Sequence, residues 1–275
     1  MNRDANSSSN PEVLVTRTNE IATITLNRGS ESNPISWSLG TALLHALDAL
    51  EDDKSVSAIV LTGSGRVFCA GAKMGEVVNP DGVDPEAQYY GFRDIVRAVS
   101  RIRNYELPVI CALNGGAVGG GAALAISCDL IVSSQRGYCF FPFGRLGASA
   151  ADMGCAYMLP RLIGTTQARR LIYTGGRVDA NEGKALGLFL DVVPDEMLIT
   201  EAHRLASQIK DSAPRHALTA TKQVLLRGET TDFETCLTYE RYMQSYFLNG
   251  DEHKRRLVNF ISTQTEGRKA KSAGK

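Results

Sequence analysis

Nowhere in this chain do roughly 20 apolar residues run together, the length a membrane-spanning helix needs. Excess charge of either sign is also missing: thirty Lys and Arg balance thirty Asp and Glu. That balance removes the electrostatic case for a nucleic acid or an anionic membrane as partner. The six cysteines (Cys69, Cys111, Cys128, Cys139, Cys155 and Cys236) form no C-x-x-C pair and mostly stand among apolar neighbours. This excludes a zinc ribbon and argues for reduced, buried thiols rather than a secreted disulfide framework. Histidine is scarce, and His45, His203, His216 and His253 make no ligand pair, so no metal site is expected. The opening MNRDANSSSNPE has neither an apolar signal core nor an arginine-rich amphipathic pattern, and the closing SAGK matches no targeting address. The expected compartment is the cytoplasm.

What is present is 275 residues, enough to bury a substantial core. Residues 1–12 read as a disordered arm. VLVTRT (13–18) and IATITL (21–26) alternate and form a predicted hairpin. Leu39, Leu43, Leu47 and Leu50 recur at helical spacing after Ser36. AIVLTG (58–63), VICALNG (109–115), LIVSS (130–134) and GYCFF (137–141) read as strands, most of them buried on both faces and alternating with helices in parallel β-α-β fashion. From about Gly164 the pattern is nearly all helix, including one long helical run from Phe233 to about Thr263. A basic tail, 264–275, reads as flexible.

Two strand-ending loops stand apart, TGSGRVFCAGAKM (62–74) and NGGAVGGGAALA (114–125). The second has five glycines among residues 115–121, and no charge occurs between Val109 and Cys128. Each glycine raises the entropic cost of folding, so bare backbone must serve a purpose. Unpaired amides at a helix N-terminus bind anions or a developing oxyanion. Tight packing of a helix on a sheet is the other reading of the same glycines. A phosphate loop is excluded, because no lysine follows the triple glycine and neither loop gives a clean G-x-G-x-x-G.

Five blocks in order resemble the crotonase superfamily, the enoyl-CoA hydratase/isomerase family. They are ITLNR with NPIS, VLTGSGRVFCAGA, VICALNGGAVGGGAALAISCDL, GYCFFPFGRLGASAADMGCAYMLPRLIG and ARRLIYTGGRVDANEGKALGLFLDVV. The resemblance implies an α/β spiral of β-β-α turns over residues 13–200 and a helical trimerisation region over 201–263. It implies a homotrimer or homohexamer, and fatty-acid-type acyl-CoA substrates with no separate cofactor, coenzyme A being part of the substrate. Carried residue by residue, it makes Ala72 and Gly120 the backbone donors of an oxyanion hole. Ala70, Lys73, Gly119 and Phe143 become substrate-binding residues.

The sequence departs from the family at both glutamates of the hydratases: Ala123 and Phe143 occupy those positions. One carboxylate remains near those positions, Asp152, in the loop where several double-bond isomerases of the family carry their proton-transferring acid. In its apolar stretch it is expected to be buried, which raises a carboxylate's pKa. Capping of the helix after Gly154 is its other possible use. A single carboxylate suffices to move a double bond, so isomerase is favoured over hydratase. A CoA-thioester binder without turnover, and a C–C hydrolase or lyase acting on a cyclic thioester, are the competing readings. Lys73 and Arg66 touch a CoA phosphate or are solvated; Arg145 has no assigned direction. Tyr89, Tyr90 and Phe92 either line the acyl site or pack in the core.

Overall fold

The computed structural model describes residues 11–149 and 151–273. The expected N-terminal arm falls largely outside them. Its last residue does not hang free, since Glu12 accepts hydrogen bonds from the Ser36 and Ser38 hydroxyls at 2.8 and 2.9 Å.

Strands β1 (Val13–Thr18) and β2 (Ile21–Leu26) pair antiparallel as the predicted hairpin, with Val13 opposite Leu26 and Thr18 opposite Ile21. Asn19 and Glu20 turn the corner with φ of 50° and 65°, the two left-handed positions a tight hairpin demands. Helix α1 (Trp37–Asp52) follows, with the Ser36 hydroxyl accepting the Leu39 amide at its start. Its four predicted leucines are all buried. Strand β3 (Ala58–Gly63), helix α2 (Pro85–Arg103) and strand β4 (Val109–Leu113) come next. The chain then makes a short strand β5 (Gly116–Val118), helix α3 (Gly120–Ile126), and strands β6 (Leu130–Ser134) and β7 (Tyr138–Phe140). Helices α4 (Cys155–Ile163) and α5 (Thr165–Thr174), strand β8 (Arg177–Asp179), helix α6 (Ala180–Ala185), strand β9 (Asp191–Val193) and helix α7 (Leu198–Ser212) complete this part.

The strands form two sheets. One has six strands in the order β1-β2-β3-β4-β6-β9, parallel from β2 onward; the other has three, β5-β7-β8. Successive passes of the chain contribute a strand to each sheet, which is the crotonase spiral. The large sheet is covered on both faces, and the alternation shows it. Ile59, Leu61, Cys111 and Leu113 join the core that holds α1 and α3. Ala58, Val60, Ile110 and Ala112 pack instead with Leu198, Ala202 and Ala206 of α7. That two-sided burial is why these strands read as unbroken apolar runs. Because α7 packs on the sheet, it belongs to the first of two compact units, which extends through Arg215.

The second unit holds α8 (Arg215–Gly228), α9 (Phe233–Leu248) and α10 (Asp251–Ala273). The long run predicted from Phe233 is two helices, broken at Asn249–Gly250, where Gly250 donates to the Phe247 carbonyl at 3.1 Å. Glycine supports that stop, whereas the apolar spacing carried straight through it. The helical backbone of α10 runs to Ala273 rather than ending near Thr263. Five of the six cysteines are buried, Cys236 is half-buried, and all six are free thiols.

Candidate active site

Three loops meet at the ends of the parallel strands. The loop after β3 is stitched on one side to β5, where the Cys69 amide donates to the Gly116 carbonyl (3.1 Å) and Val118 donates back to Cys69 (2.9 Å). On its other side it pairs with the segment entering α1. Ile35 donates to the Gly71 carbonyl at 2.7 Å, Lys73 donates to Ile35 at 2.9 Å, and Ala70 donates to Ser32 at 3.0 Å. This pairing takes the Gly71 carbonyl and the Lys73 amide, on either side of Ala72, and leaves the Ala72 N–H with no acceptor among the described residues. Gly120, the first residue of α3, has a first-turn amide with no intrahelical partner.

The glycines bring the two loops that carry these amides into contact. Gly71 has φ of 87°, and a Cβ there would stand 2.6 Å from the Val118 carbonyl oxygen and 4.0 Å from the Gly120 nitrogen. A Cβ on Gly121 would meet the Cys69 carbonyl at 2.4 Å. Backbone thus packs on backbone, which is the tight-packing reading of these glycines. Gly71→Ala should lower stability by roughly 1–3 kcal/mol, the cost of a strained left-handed residue, and should cut turnover by parting the loops. Thermal denaturation beside steady-state kinetics checks both effects.

Two asparagines fix the turn that leads into this loop. Buried Asn33 donates to the carbonyls of Ser64 (2.9 Å) and Val67 (2.8 Å) and accepts the Arg28 amide (2.8 Å). Asn114 accepts the Gly63 amide (3.1 Å) and donates to Gly65 (3.0 Å). One asparagine belongs to each of the other two loops, so the three are held as a unit.

The loops enclose a cavity of about 790 Å³. All seven residues expected from the sequence line it: Ala70, Ala72, Lys73, Gly119, Gly120, Phe143 and Asp152. Phe143 and Phe92 give it apolar walls, whereas Ala123 is fully buried in α3 and does not reach it. Asp152 departs from expectation in two ways. It is exposed rather than buried, and its Oδ1 accepts the next residue's amide, that of Met153, at 2.7 Å. Helix α4 begins at Cys155 with Gly154 as its cap residue, so the Asp152 side chain is not a helix cap. The cause is Met153, whose left-handed φ of 49° turns the chain there at a cost of roughly 1–2 kcal/mol.

Lys73 does more than face solvent, since it pairs with Glu76 at 3.3 Å, and Glu76 accepts the Trp37 amide at the start of α1. Arg145 turns away to donate to the Thr174 carbonyl at 3.1 Å and lies over the Phe140 ring. Tyr89 and Tyr90 are exposed and outside the lining, as is Arg66. Cys69, behind Gly121, has its thiol pushed up to about 12 by burial, which keeps it protonated and unreactive. No cluster of three or more metal-ligating side chains occurs among the described residues. Sequence reasoning missed Glu31 and Met153, both of which line the cavity. Glu31 carried no signal, because the three-residue turn that presents it has no periodicity to read.

Two unpartnered amides and carboxylates lining one apolar cavity are the parts found in enzymes that act on a bound carbonyl. The chain belongs to the enoyl-CoA hydratase/isomerase family, whose model matches residues 16–270, and it acts as an acyl-CoA thioester enzyme of that family. It is 30% identical over 246 residues to the 1,2-epoxyphenylacetyl-CoA isomerase of Escherichia coli, covering 89% of this chain and 93% of that one. It is likewise 30% identical over 250 residues to the short-chain-enoyl-CoA hydratase of Clostridium acetobutylicum, covering 90% and 94%. Among solved structures, the enoyl-CoA hydratase of Bacillus anthracis superposes with a TM-score of 0.86 at 29% identity, covering 92% of this chain and 96% of that one. No helix among the described residues is long and apolar enough to cross a membrane.

Proposed function

We propose that the chain is an enoyl-CoA isomerase in which Ala72 and Gly120 hold the thioester oxygen and Asp152 carries the proton. The observation that supports this most directly is that the Ala72 and Gly120 amides, both unpartnered, belong to two loops packed together at Gly71 and line the same cavity as the Asp152 carboxylate. In a 3-enoyl thioester the α-carbon C–H bond breaks and its proton passes to Asp152. The electron pair flows into the carbonyl, whose oxygen becomes the anion that the two amides stabilise. The same carboxyl group then gives its proton to the γ-carbon, the carbonyl re-forms, and the double bond ends between the α- and β-carbons. One acid performs both transfers. Ala70, Lys73, Gly119 and Phe143 line the thioester's path, and coenzyme A arrives with the substrate, with no further cofactor.

A second reading, hydration, draws on Glu31. It is a second carboxylate in the lining, and addition of water divides its proton transfers more readily between two acids. Incubation with 3-enoyl and 2-enoyl thioesters separates the readings. Isomerisation gives interconversion of the two without a 3-hydroxyacyl product. Hydration gives the hydroxyacyl product and depends on Glu31, so Glu31→Gln should abolish it. Binding of an acyl-CoA with no product from either substrate would leave a thioester-binding protein in place of an enzyme.

The assembly we propose is a homotrimer or a dimer of trimers, supported by exposed apolar side chains of the second unit such as Phe233, Tyr246 and Phe260. Light scattering of the full chain tests it. The buried free thiols suit a reducing compartment, the cytoplasm.

A further inference from the structure

Among the described residues five non-glycines have positive φ, and Met153 is the one that lines the cavity. An extended backbone would send neighbouring side chains to opposite sides. The left-handed turn at Met153 instead brings both Asp152 and Met153 to the same cavity. Glycine would adopt that turn without strain, yet a long apolar side chain stands there and is only 6% exposed. Strain retained at such a position points to a use for the side chain.

The use is visible at Gly120. A Cβ on that residue would meet the Met153 Sδ at 2.7 Å and the Ile35 Cδ1 at 2.6 Å, so the thioether and the Ile35 methyl close in on its α-carbon. With the thioester oxygen on the Gly120 amide and the proton carrier at Asp152, the acyl α-carbon lies between the two, beside the Met153 side chain. We propose that Met153 is a specificity-determining residue, its thioether forming the wall that admits straight acyl chains and rejects those branched at the α-carbon. This rests on the proposed placement of the thioester oxygen at Gly120.

The test is calorimetric binding of butanoyl-CoA and 2-methylbutanoyl-CoA to the full chain and its variants. Both thioesters are saturated, so neither isomerises and binding is read without turnover. The wild type should prefer the straight chain by about tenfold or more, the usual discrimination of a packed wall against one extra methyl. Met153→Gly should erase that preference, and Met153→Leu, of similar volume, should keep it. Met153→Ala, which shortens the wall without changing the turn, replaces the glycine variant if circular dichroism shows that variant unfolded. Absence of preference in the wild type overturns the proposal, as does a shortened variant that retains it or a leucine variant that loses it. Turnover of a 3-enoyl thioester by the wild type is followed in parallel. Selectivity without turnover removes the isomerase and leaves the wall; turnover without selectivity removes the wall and leaves the isomerase.

Discussion

Gly120→Pro should lose turnover by about 10²–10³-fold, the effect of deleting one oxyanion donor. Proline removes the N–H itself, and position 120 is the first residue of α3, where a helix tolerates proline because that amide has no intrahelical partner. The ring does add bulk where Ile35 Cδ1 and Met153 Sδ stand 2.6 and 2.7 Å from an added Cβ. Gly120→Ala is therefore the control, since it introduces the same crowding against two flexible side-chain ends while keeping the donor. A proline variant that folds, binds acyl-CoA and falls far below the alanine variant in kcat assigns the loss to the amide. Equal kcat in the two variants would falsify the oxyanion assignment.

Asp152→Asn should lower kcat by about 10²–10⁴-fold, the range for removing a positioned general acid-base group. The substitution is conservative where it needs to be. An asparagine oxygen can still accept the Met153 amide that Asp152 Oδ1 accepts at 2.7 Å, so the left-handed turn should survive. Affinity for a saturated acyl-CoA should then stay near the wild-type value while chemistry fails, which separates proton transfer from binding. Retention of full activity in this variant would end the role given to Asp152, and Glu31 would be the acid left in the cavity to test.

The two loops illustrate why some of the site was readable. Runs such as AIVL and VICAL are apolar at every position because both faces of their strands are buried, and such runs followed shortly by glycine announce where parallel strands stop. The ends of parallel strands are where ligands bind in such sheets. The matching blocks then named Ala72 and Gly120, and the structure shows their amides unpaired and their loops in contact. The asparagine clamps were not legible. Asn33 and Asn114 look like ordinary turn residues until the fold shows each bonding to the same five-residue turn, 63–67.

Asp152 marks the boundary between the two kinds of knowledge. Its apolar neighbours predicted burial, because composition reports average surroundings and not direction. One left-handed residue, Met153, sets that direction, and no periodicity encodes a single dihedral. By itself the sequence determined six of the nine strands, the leucine face of α1 and the glycine-bearing loops, whereas β5, β8 and β9, of three residues each, are too short for a pattern to show and two of them lie where it reads as helix. Tertiary structure alone decided that Glu31 shares the cavity, that Met153 closes in on Gly120, and that Asp152 lines the cavity with its side chain exposed. Local pattern follows from which face is buried, whereas the meeting of distant loops depends on close contacts between backbones that no single segment contains.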